Sequence, residues 1–400
     1  MDLRSHYPYA LLKNGIIRSY PSIASNEKAD VAIMGAGITG ALTGWHLSRK
    51  GFKVIILDRR HAGMGSTAAS TSLLQYELDV PLVTLRQLVG QSHADRSYLL
   101  CRDAIYQLEK ISRRLGIDEE FRSSPSLQLA SFKKHINRLK KECVARKNIG
   151  IDVDYLDEQA IWKKFKVKAN GGLLSADAAQ IDSYKLAHAL LSDILKMGGQ
   201  VYDHSEVVDI RHNKRNVELS VDNAFIVKAR KLVIACGYES LKYLPKKIEK
   251  LSSTYVILSE PYPEQQFWYK NSIIWETANP YLYIKVTTDH RILIGGRDSP
   301  FQSAIKRDAL MDVKRRQLES AFGKLFPHIP FKTDFKWAGT FSSSKDGLPY
   351  IGSIPQRPNT YFALGFGGNG ITFSLLAAQI ITDVFMKRKR IDDGAFDFTR

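Results

Sequence analysis

The chain has 400 residues, 44% of them hydrophobic, and 58 Lys and Arg against 41 Asp and Glu, which gives a net charge of +17. This length and apolar content are sufficient for a large core and predict two domains. Three cysteines without a CxxC pair exclude a disulfide framework and a zinc site, and they favour reduced thiols in a cytoplasmic protein. No metal site is expected.

The basic charge and the apolar segments restrict the partners. Lys and Arg cluster at 133–147, 246–250 and 387–390, and such runs attract nucleic acid or anionic membrane surfaces. No nucleic-acid motif accompanies them, so we interpret the runs as solvated helix faces and expect no nucleic-acid partner. The N-terminus has no apolar signal region, and the apolar tract at 371–385 is too short and too polar to span a bilayer.

Residues 1–29 are predicted to form an arm ahead of the first strand. The next stretch, DVAIMGAGITGALTGWHLSRKGFKVIILDR at 30–59, follows the order strand, glycine turn, helix, second strand, acidic residue. Gly35, Gly37 and Gly40 occupy the glycine positions of GxGxxG. In this context the motif indicates a dinucleotide-binding unit, the alternative being a strand–helix turn without a ligand.

Each residue type in this unit has a physical role. Gly35 permits the turn, Gly37 lets the backbone approach a pyrophosphate, and Gly40 lets the helix pack close to the sheet. The helix then directs unpaired N–H groups and its positive dipole end at the phosphates. Asp58 is placed to accept hydrogen bonds from both ribose hydroxyls and repels a 2′-phosphate, although Arg59 beside it weakens that exclusion of NADP.

The middle of the chain is predicted to be α/β. Helical spacing appears at 85–115, 133–147 and 156–165, and a helix capped by Asp182 or Ser183 stops at Gly198. The predicted extended segments are 121–132, 200–202, 206–210, a hairpin of 217–221 with 224–227, and a buried strand at 231–235 that ends in Cys236 and Gly237.

The last 150 residues change character and then return to the first pattern. An alternating aromatic pattern at 251–296 predicts an antiparallel sheet, and 304–326 is predicted to be helical. Strand, loop, strand, glycine turn and helix follow, carrying KDGLPYIG and GFGGNGI. We therefore expect a discontinuous nucleotide-binding domain, made of 1–80, 171–250 and 335–400, with a Rossmann-type parallel sheet.

Four features in order resemble the FAD-dependent oxidoreductases of the D-amino-acid oxidase family, whose members include glycine, sarcosine and γ-glutamylputrescine oxidases. They are GAGITG with Asp58, the hydroxyl-rich loop from Gly65, VVDI followed by LVIACG, and KDGLPYIG followed by GFGGNGI. The first is shared with many nucleotide-binding proteins, whereas the last is much more specific. The resemblance covers nearly the full chain and implies a second, substrate-binding domain, 81–170 and 251–334, with a mostly antiparallel sheet and flanking helices.

The resemblance implies FAD as the cofactor, bound non-covalently because the C-terminal region has no cysteine. It places hydroxyls of the 65–71 loop near the pyrophosphate and flavin edge, Val207 at the adenine, and a helix N-terminus at 367–371 beside the flavin pyrimidine ring, where it stabilises negative charge. The predicted cofactor-binding residues are Gly35, Ala36, Gly37, Ile38, Thr39, Gly40, Asp58, Arg59, Gly65, Ser66, Thr67, Ser70, Thr71, Val207, Cys236, Gly237, Gly367, Gly368, Asn369, Gly370 and Ile371.

The predicted substrate residues lie in the antiparallel segment. Aromatic rings can hold a substrate cation or exclude water, or they can be ordinary sheet core. The aromatic candidates are Tyr255, Trp275, Tyr281 and Tyr283. Arg297 is the candidate to bind a substrate carboxylate with both guanidinium N–H groups, and its alternative is a surface salt bridge. Lys285 is a candidate to lie near the flavin and assist oxygen reduction, and its alternative is a solvated strand residue.

One departure from the family pattern bears on the substrate. The glycine-oxidase branch has arginines in AG-x-R and in the last glycine turn, where this chain has Phe341 and Gly368. This places the α-carboxylate clamp in doubt and favours an amine. The resemblance implies C–N bond oxidation by hydride transfer to flavin N5, giving an imine that water hydrolyses. The alternatives are a dehydrogenase with an acceptor other than oxygen, an RNA-modifying flavoprotein and a non-catalytic flavin module.

Overall fold

The computed structural model describes residues 3–117 and 120–400, which form two large sheets, one small sheet and ten α-helices. The strands are β1 (Arg4–Ser5), β2 (Glu27–Met34), β3 (Val54–Leu57), β4 (Leu73–Gln75), β5 (Arg122–Ser123), β6 (Ser126–Leu129), β7 (Val153–Leu156), β8 (Gly172–Ser175), β9 (Ala178–Gln180), β10 (Gln200–Tyr202), β11 (Val207–His212), β12 (Val217–Val221), β13 (Phe225–Ile234), β14 (Glu249–Ser259), β15 (Ile273–Glu276), β16 (Leu282–Val286), β17 (Ile292–Ser299), β18 (Thr333–Ser344), β19 (Tyr350–Ser353) and β20 (Thr360–Leu364). The helices are α1 (Tyr9–Asn14), α2 (Ile38–Ser48), α3 (Ser66–Ala69), α4 (Leu82–Val89), α5 (Gln91–Arg114), α6 (Ile136–Asn148), α7 (Glu158–Phe165), α8 (Ser183–Lys196), α9 (Ala304–Leu325) and α10 (Gly370–Phe385).

The first large sheet contains the glycine-turn unit. Its strand order is β10-β3-β2-β13-β12-β11, with β20 paired to the end of β13 and β19 to β20. The strands β10, β3, β2, β13 and β20 run parallel, as in a Rossmann-type sheet. The predicted hairpin arm 224–227 and the predicted strand 231–235 are one continuous strand, β13. Its first half pairs with β12 and its second half lies between β2 and β20, so a single strand satisfies both neighbours.

Helices pack on the parallel sheet and bury their apolar side chains in the core. α2 packs against α8 and α10, and Trp45 on α2 is almost fully buried. α8 begins where Asp182 accepts hydrogen bonds from the amides of Tyr184 and Lys185 (both 3.0 Å), the capping predicted from the sequence. The predicted helix at 85–115 is divided into α4 and α5 by Gly90, whose φ of 88° is outside the helical region.

The second large sheet is mostly antiparallel. Its order is β1-β18-β14-β17-β16-β15-β6-β8-β7, and only β15 and β6 run parallel among these strands. One face packs on α9 through buried side chains such as Ile257, Ile284 and Ile294. The opposite face carries Val256, Tyr283 and Trp337 and turns toward the first sheet. The two sheets confirm the predicted α/β fold with a Rossmann-type sheet and an antiparallel sheet.

Several short strands show how the chain passes between the sheets. β1 pairs with β18, so the N-terminal arm begins on the antiparallel sheet before it reaches β2. β8 also lies in that sheet, between β6 and β7. β4, which follows the loop after β3, pairs with β9 and with β9's other neighbour β5 forms the small third sheet. The antiparallel sheet therefore recruits residues from both ends and from the middle of the chain.

Candidate functional site

A cleft of about 940 Å³ lies between the two large sheets. One end is lined by Asp58 and Val207, beyond the ends of the parallel strands, and the other by the glycine turn before α10 and by Tyr281. Crevices at the carboxyl ends of parallel strands are the usual ligand site of such sheets. Every predicted cofactor-binding residue lines this cleft except Ala36 and Gly40, which lie behind the first glycine turn.

The first glycine turn has no room for side chains. Gly35 has a φ of 104°, and a Cβ there would lie 2.5 Å from the carbonyl oxygen of Ala235 on the neighbouring strand connection. A Cβ on Gly40 would lie 1.8 Å from the carbonyl oxygen of Gly35. Contacts of this kind exclude any other residue, so the backbone itself forms this wall of the cleft. The N-terminus of α2, beginning after Gly37, points along it.

Asp58 is held rigidly at the end of β3. Its carboxylate accepts hydrogen bonds from the amides of Ala36 (2.8 Å) and Arg60 (2.9 Å). Burial raises the pKa of this carboxyl, and the two amide bonds oppose that shift. The remaining lone pairs face the cleft, as binding of a ribose diol requires. Arg59 pairs with Glu206 and Glu239, so its charge is largely neutralised by acidic neighbours.

The hydroxyl-rich loop contributes in three different ways. Ser66 Oγ is buried and has no hydrogen-bond partner among residues 3–117 and 120–400, and its side chain lines the cleft. Thr67 Oγ1 accepts a hydrogen bond from the Ile38 amide (3.0 Å), which satisfies one of the free amides of α2. Ser70 Oγ accepts a hydrogen bond from the Ser72 amide (3.0 Å) and so stiffens the loop, while Thr71 lies beside Tyr283.

The second glycine turn leads into α10. The Gly368 amide donates to the carboxylate of Asp79 (3.2 Å), and the Asn369 side-chain amide donates to the carbonyl oxygens of Gln75 (2.8 Å) and Glu77 (3.1 Å). These bonds tie the turn to the segment before α4. α10 then begins at Gly370 with its first residues at the cleft, so its positive dipole end faces the cleft.

Cys236 and Gly237 follow the end of β13 and line the cleft. Gly237 has a φ of 56°, a left-handed conformation that glycine adopts without strain. The Cys236 thiol donates to the carbonyl oxygen of Met34 (3.3 Å), and burial raises the pKa of this thiol to about 12. The sulfur is therefore a protonated, structural group.

Three predicted aromatic residues line the far half of the cleft. Trp275, Tyr281 and Tyr283 all face it, and the two tyrosine rings have centroids 5.9 Å apart. Burial raises the pKa of both phenols, so both remain neutral hydrogen-bonding groups. Trp275 Nε1 donates to Ser126 Oγ (3.0 Å), which fixes the indole against the neighbouring strand.

Tyr255 and Arg297 do not line the cleft. Side chains alternate along a strand, and the neighbours Thr254 and Val256 face the cleft while Tyr255 packs on α9, with the Lys314 ammonium 5.1 Å from its ring centroid. The Arg297 guanidinium donates to the carbonyl oxygen of Pro280 (3.2 Å) and lies 3.5 Å from a carboxylate oxygen of Glu276. This arrangement gives no support to the role of Arg297 as a substrate carboxylate fork.

Lys285 is buried, not solvated. Its side chain is 7% exposed and lines a second, small cavity of about 80 Å³, which shares the 70–72 loop with the main cleft. Burial foremost, and the nearby charge of Arg122, lower the pKa of Lys285 from 10.5 to about 7. The cause is desolvation of an ammonium group that has no hydrogen-bond partner in the described part of the chain.

Several cleft residues were missed by the sequence analysis. Asp79, Gln128, Glu276 and Asp298 all line the far half. Gln128 on β6 pairs with Trp275 on β15, and Trp275 pairs with Tyr283 on β16, so the three side chains lie on the same face of the sheet. The position of Gln128 therefore follows only from the strand pairing. Asp298 lies within a register shift between β14 and β17, which interrupts the alternation of side chains. The face on which its side chain lies therefore cannot be counted from the sequence. Of these four residues, only Asp79 could have been noticed from the sequence alone, because it lies shortly after the hydroxyl-rich loop.

The site fits a bound dinucleotide. The glycine turn is a cradle that a Cβ would fill, Ser66 leaves a buried hydroxyl without a partner beside it, and Asp58 is fixed where a ribose would lie. The cleft then continues past a helix N-terminus to an aromatic chamber. Fold and site together define the class: an oxidoreductase with a Rossmann-type dinucleotide site that opens onto a separate substrate sheet.

The comparisons with known proteins identify the family. The chain belongs to the FAD-dependent oxidoreductase (DAO) family, whose model matches residues 30–384. Its cofactor is therefore FAD, and Ser66, Asp58 and the α10 N-terminus are among the residues that would hold it. The chain is 26% identical over 393 residues to glycine oxidase of Geobacillus kaustophilus, covering 94% of this chain and 97% of that protein. It is 27% identical over 379 residues to γ-glutamylputrescine oxidoreductase of Escherichia coli K12, covering 91% and 85%.

Solved structures show the same fold. Glycine oxidase from Geobacillus kaustophilus matches with a TM-score of 0.77 and 23% identity, over 94% of this chain and 99% of that one. L-Proline dehydrogenase from P. horikoshii matches with a TM-score of 0.78 and 15% identity, over 93% and 97%. Among the residues that the structure describes, no helix is both long and apolar enough to cross a membrane.

Proposed function

We propose that this enzyme oxidises the C–N bond of a small amine or amino acid. The observation that carries the proposal is the single cleft that joins the Asp58 end to the chamber lined by Trp275, Tyr281 and Tyr283. Relatives named glycine oxidase and γ-glutamylputrescine oxidoreductase support the substrate class. We further propose that 1–80, 171–250 and 335–400 act as the FAD-binding domain, and 81–170 with 251–334 as the substrate domain.

Bound FAD would supply the redox chemistry by taking up a hydride from the carbon beside the amine nitrogen, and water would hydrolyse the resulting imine. The chain supplies position and electrostatics. The N-terminus of α10 would stabilise negative charge that develops on the reduced flavin. The rings of Tyr281 and Tyr283 exclude water and present π faces to a cationic substrate. We propose non-covalent binding, because no cysteine occurs after Cys236.

The electron acceptor divides the proposal into two forms. We favour oxygen, because Lys285 is buried behind the 70–72 loop with a pKa near 7, so it can place positive charge near the site where oxygen is reduced. The alternative is a dehydrogenase that passes electrons to a quinone or a protein. Reoxidation of the reduced enzyme by oxygen and by an artificial acceptor distinguishes them. For an oxidase, Lys285→Met slows only the oxygen reaction.

The test of the function is anaerobic reduction of the purified, FAD-loaded protein. A panel of primary amines, secondary amines and α-amino acids is added, and the visible absorbance of the oxidised flavin is followed. Bleaching by at least one amine or amino acid is expected. A protein that cannot be loaded with FAD, or that no member of the panel bleaches, contradicts the proposal.

A further inference from the structure

Two carboxylates line the substrate half of the cleft. Asp79, from the segment before α4, accepts a hydrogen bond from the Gly368 amide (3.2 Å). A Cβ on Gly367 would lie 2.3 Å from Asp79 Oδ2, and one on Gly368 would lie 2.9 Å from Asp79 Oδ1. The glycines of this turn therefore leave room for the carboxylate, and only glycine at these two positions permits it to stand there.

Asp298 approaches Asp79 from the antiparallel sheet. Its Oδ1 atom is buried and has no hydrogen-bond partner in the described residues. Burial foremost, with the charge of Asp79 among the other causes, raises the pKa of Asp298 to about 6. The nearest opposing charge is Lys314, but its ammonium donates to the carbonyl oxygen of Arg297. Neither Asp79 nor Asp298 forms an ion pair within the described part of the chain.

Gln128 is an independent sign of a missing ligand. Its side chain is 5% exposed and lines the same half of the cleft, on the strand beside Trp275. Its Oε1 atom is buried without a hydrogen-bond partner among residues 3–117 and 120–400. A buried acceptor of this kind costs free energy unless a donor reaches it. A ligand with N–H groups supplies that donor.

Positive charge is scarce in the same chamber. Arg59, Arg60 and Lys242 line the opposite end with Asp58, where Arg59 and Arg60 pair with Glu239. In the substrate half the described residues include one basic lining side chain, Arg138, which is exposed on α6. The other lining groups of this half include three carboxylates, an amide oxygen and aromatic faces, all of which attract cations.

We infer that the substrate is a diamine or longer polyamine, whose second ammonium group binds between Asp79 and Asp298. The inference rests on the proposed function, because it names the substrate of the same cleft. One nitrogen, uncharged, is the site of oxidation; the other stays protonated and anchors the molecule. An α-amino acid is disfavoured, since its carboxylate would face the two aspartates without a cation to bind it.

The test compares three four-carbon compounds on the anaerobic, FAD-loaded enzyme: 1,4-diaminobutane, 1-aminobutane and 4-aminobutanoate. The diamine should bleach the flavin with an apparent Kd about tenfold lower than that of the monoamine, the factor expected from one charge-assisted hydrogen bond. The acid should be weakest. Asp298→Asn should raise the Kd of the diamine relative to that of the monoamine, so that the ratio of the two values falls to about one. Asp308→Asn, an exposed aspartate on α9, is the matched control.

Binding is also measured apart from turnover. Calorimetric titration with 2,5-diamino-2,5-dimethylhexane, a diamine that cannot be oxidised because its amine-bearing carbons carry no hydrogen, should give binding to the FAD-loaded protein that Asp298→Asn weakens about tenfold and Asp308→Asn does not. Equal Kd values for diamine and monoamine, or preference for the acid, overturn this inference while C–N oxidation stands. Bleaching by no compound of the wider panel overturns the proposed function, and the inference with it.

Discussion

Thr39 and Ser374 hold the two helix N-termini of the cofactor cleft together. Their hydroxyl oxygens lie 2.8 Å apart in a buried contact, although 335 residues separate them in the sequence. Ser374 Oγ donates to the carbonyl oxygen of Gly370 (2.6 Å), so its own proton is used and Thr39 is the donor to Ser374. This bond joins α2, which follows the first glycine turn, to α10, which follows the second glycine turn.

Thr39→Val should therefore lower the free energy of unfolding by about 1 kcal/mol, because one buried hydrogen bond is lost. Thr43→Val on the same helix is the control: its hydroxyl is buried without a partner in the described chain, so that change should cost nothing. Urea unfolding of both variants measures the difference. Equal losses in the two variants would show that the Thr39–Ser374 bond does not stabilise the fold.

Asp58→Ala should weaken FAD binding by about tenfold or more, since hydrogen bonds to a charged group contribute roughly 1.5–3 kcal/mol each. The comparison is Asp209→Ala, an exposed aspartate on β11. FAD titration of the apoprotein, followed by quenching of flavin fluorescence, gives both dissociation constants. If Asp58→Ala binds FAD as tightly as Asp209→Ala, the placement of the ribose is wrong.

Glu249 predicts a stability that falls as the pH rises. Both carboxyl oxygens are buried without hydrogen-bond partners among the described residues, and burial raises the pKa of Glu249 from 4.5 to about 7. The folded protein therefore holds a proton that the unfolded chain releases, so stability is lost as the pH rises from 4.5 to 7. Glu249→Gln should be more stable than the parent by ~1–3 kcal/mol at pH 8 and equal to it near pH 4.5.

Urea unfolding at the two pH values checks this, with the exposed Glu264→Gln as the control that should change nothing. A benefit of Glu249→Gln that is the same at both pH values would contradict the account.

Lys285 predicts the opposite pH dependence. Its pKa of about 7 in the folded protein lies below the ordinary 10.5, so the unfolded chain binds more protons between these values. Stability contributed at this position therefore rises as the pH rises from 7 to 10.5. Lys285→Met should stabilise the protein by ~1–3 kcal/mol at pH 6, and the gain should shrink toward pH 10. Denaturant unfolding at both pH values, beside the exposed Lys250→Met, detects it; a gain that grows with pH would refute the argument.

The cofactor end was predictable because its signals are local. Gly35 and Asp58 belong to one continuous 30-residue pattern whose spacing determines the geometry, and the structure confirms the Rossmann-type sheet around them. The chamber was less predictable. Tyr255 was chosen for its aromatic ring, but the register places Thr254 and Val256 on the cleft side, and no residue type reports register.

Burial of charged groups was the other limit. Lys285 has the sequence surroundings of a solvated strand residue, yet neighbouring elements bury it. Asp79 and Asp298 are separated by more than half of the chain, and only the folding of the two sheets brings them to one chamber. Such long-range pairings depend on tertiary packing, which no single stretch of sequence contains.

The proposed oxidation of a substrate C–N bond by FAD is tested most directly by a single turnover without oxygen. The substrate is one that the panel has identified. Flavin reduction and the products are measured in the same sample. The account predicts one carbonyl product and one released amine or ammonia for each flavin reduced. Flavin reduction without release of a carbonyl product would contradict it.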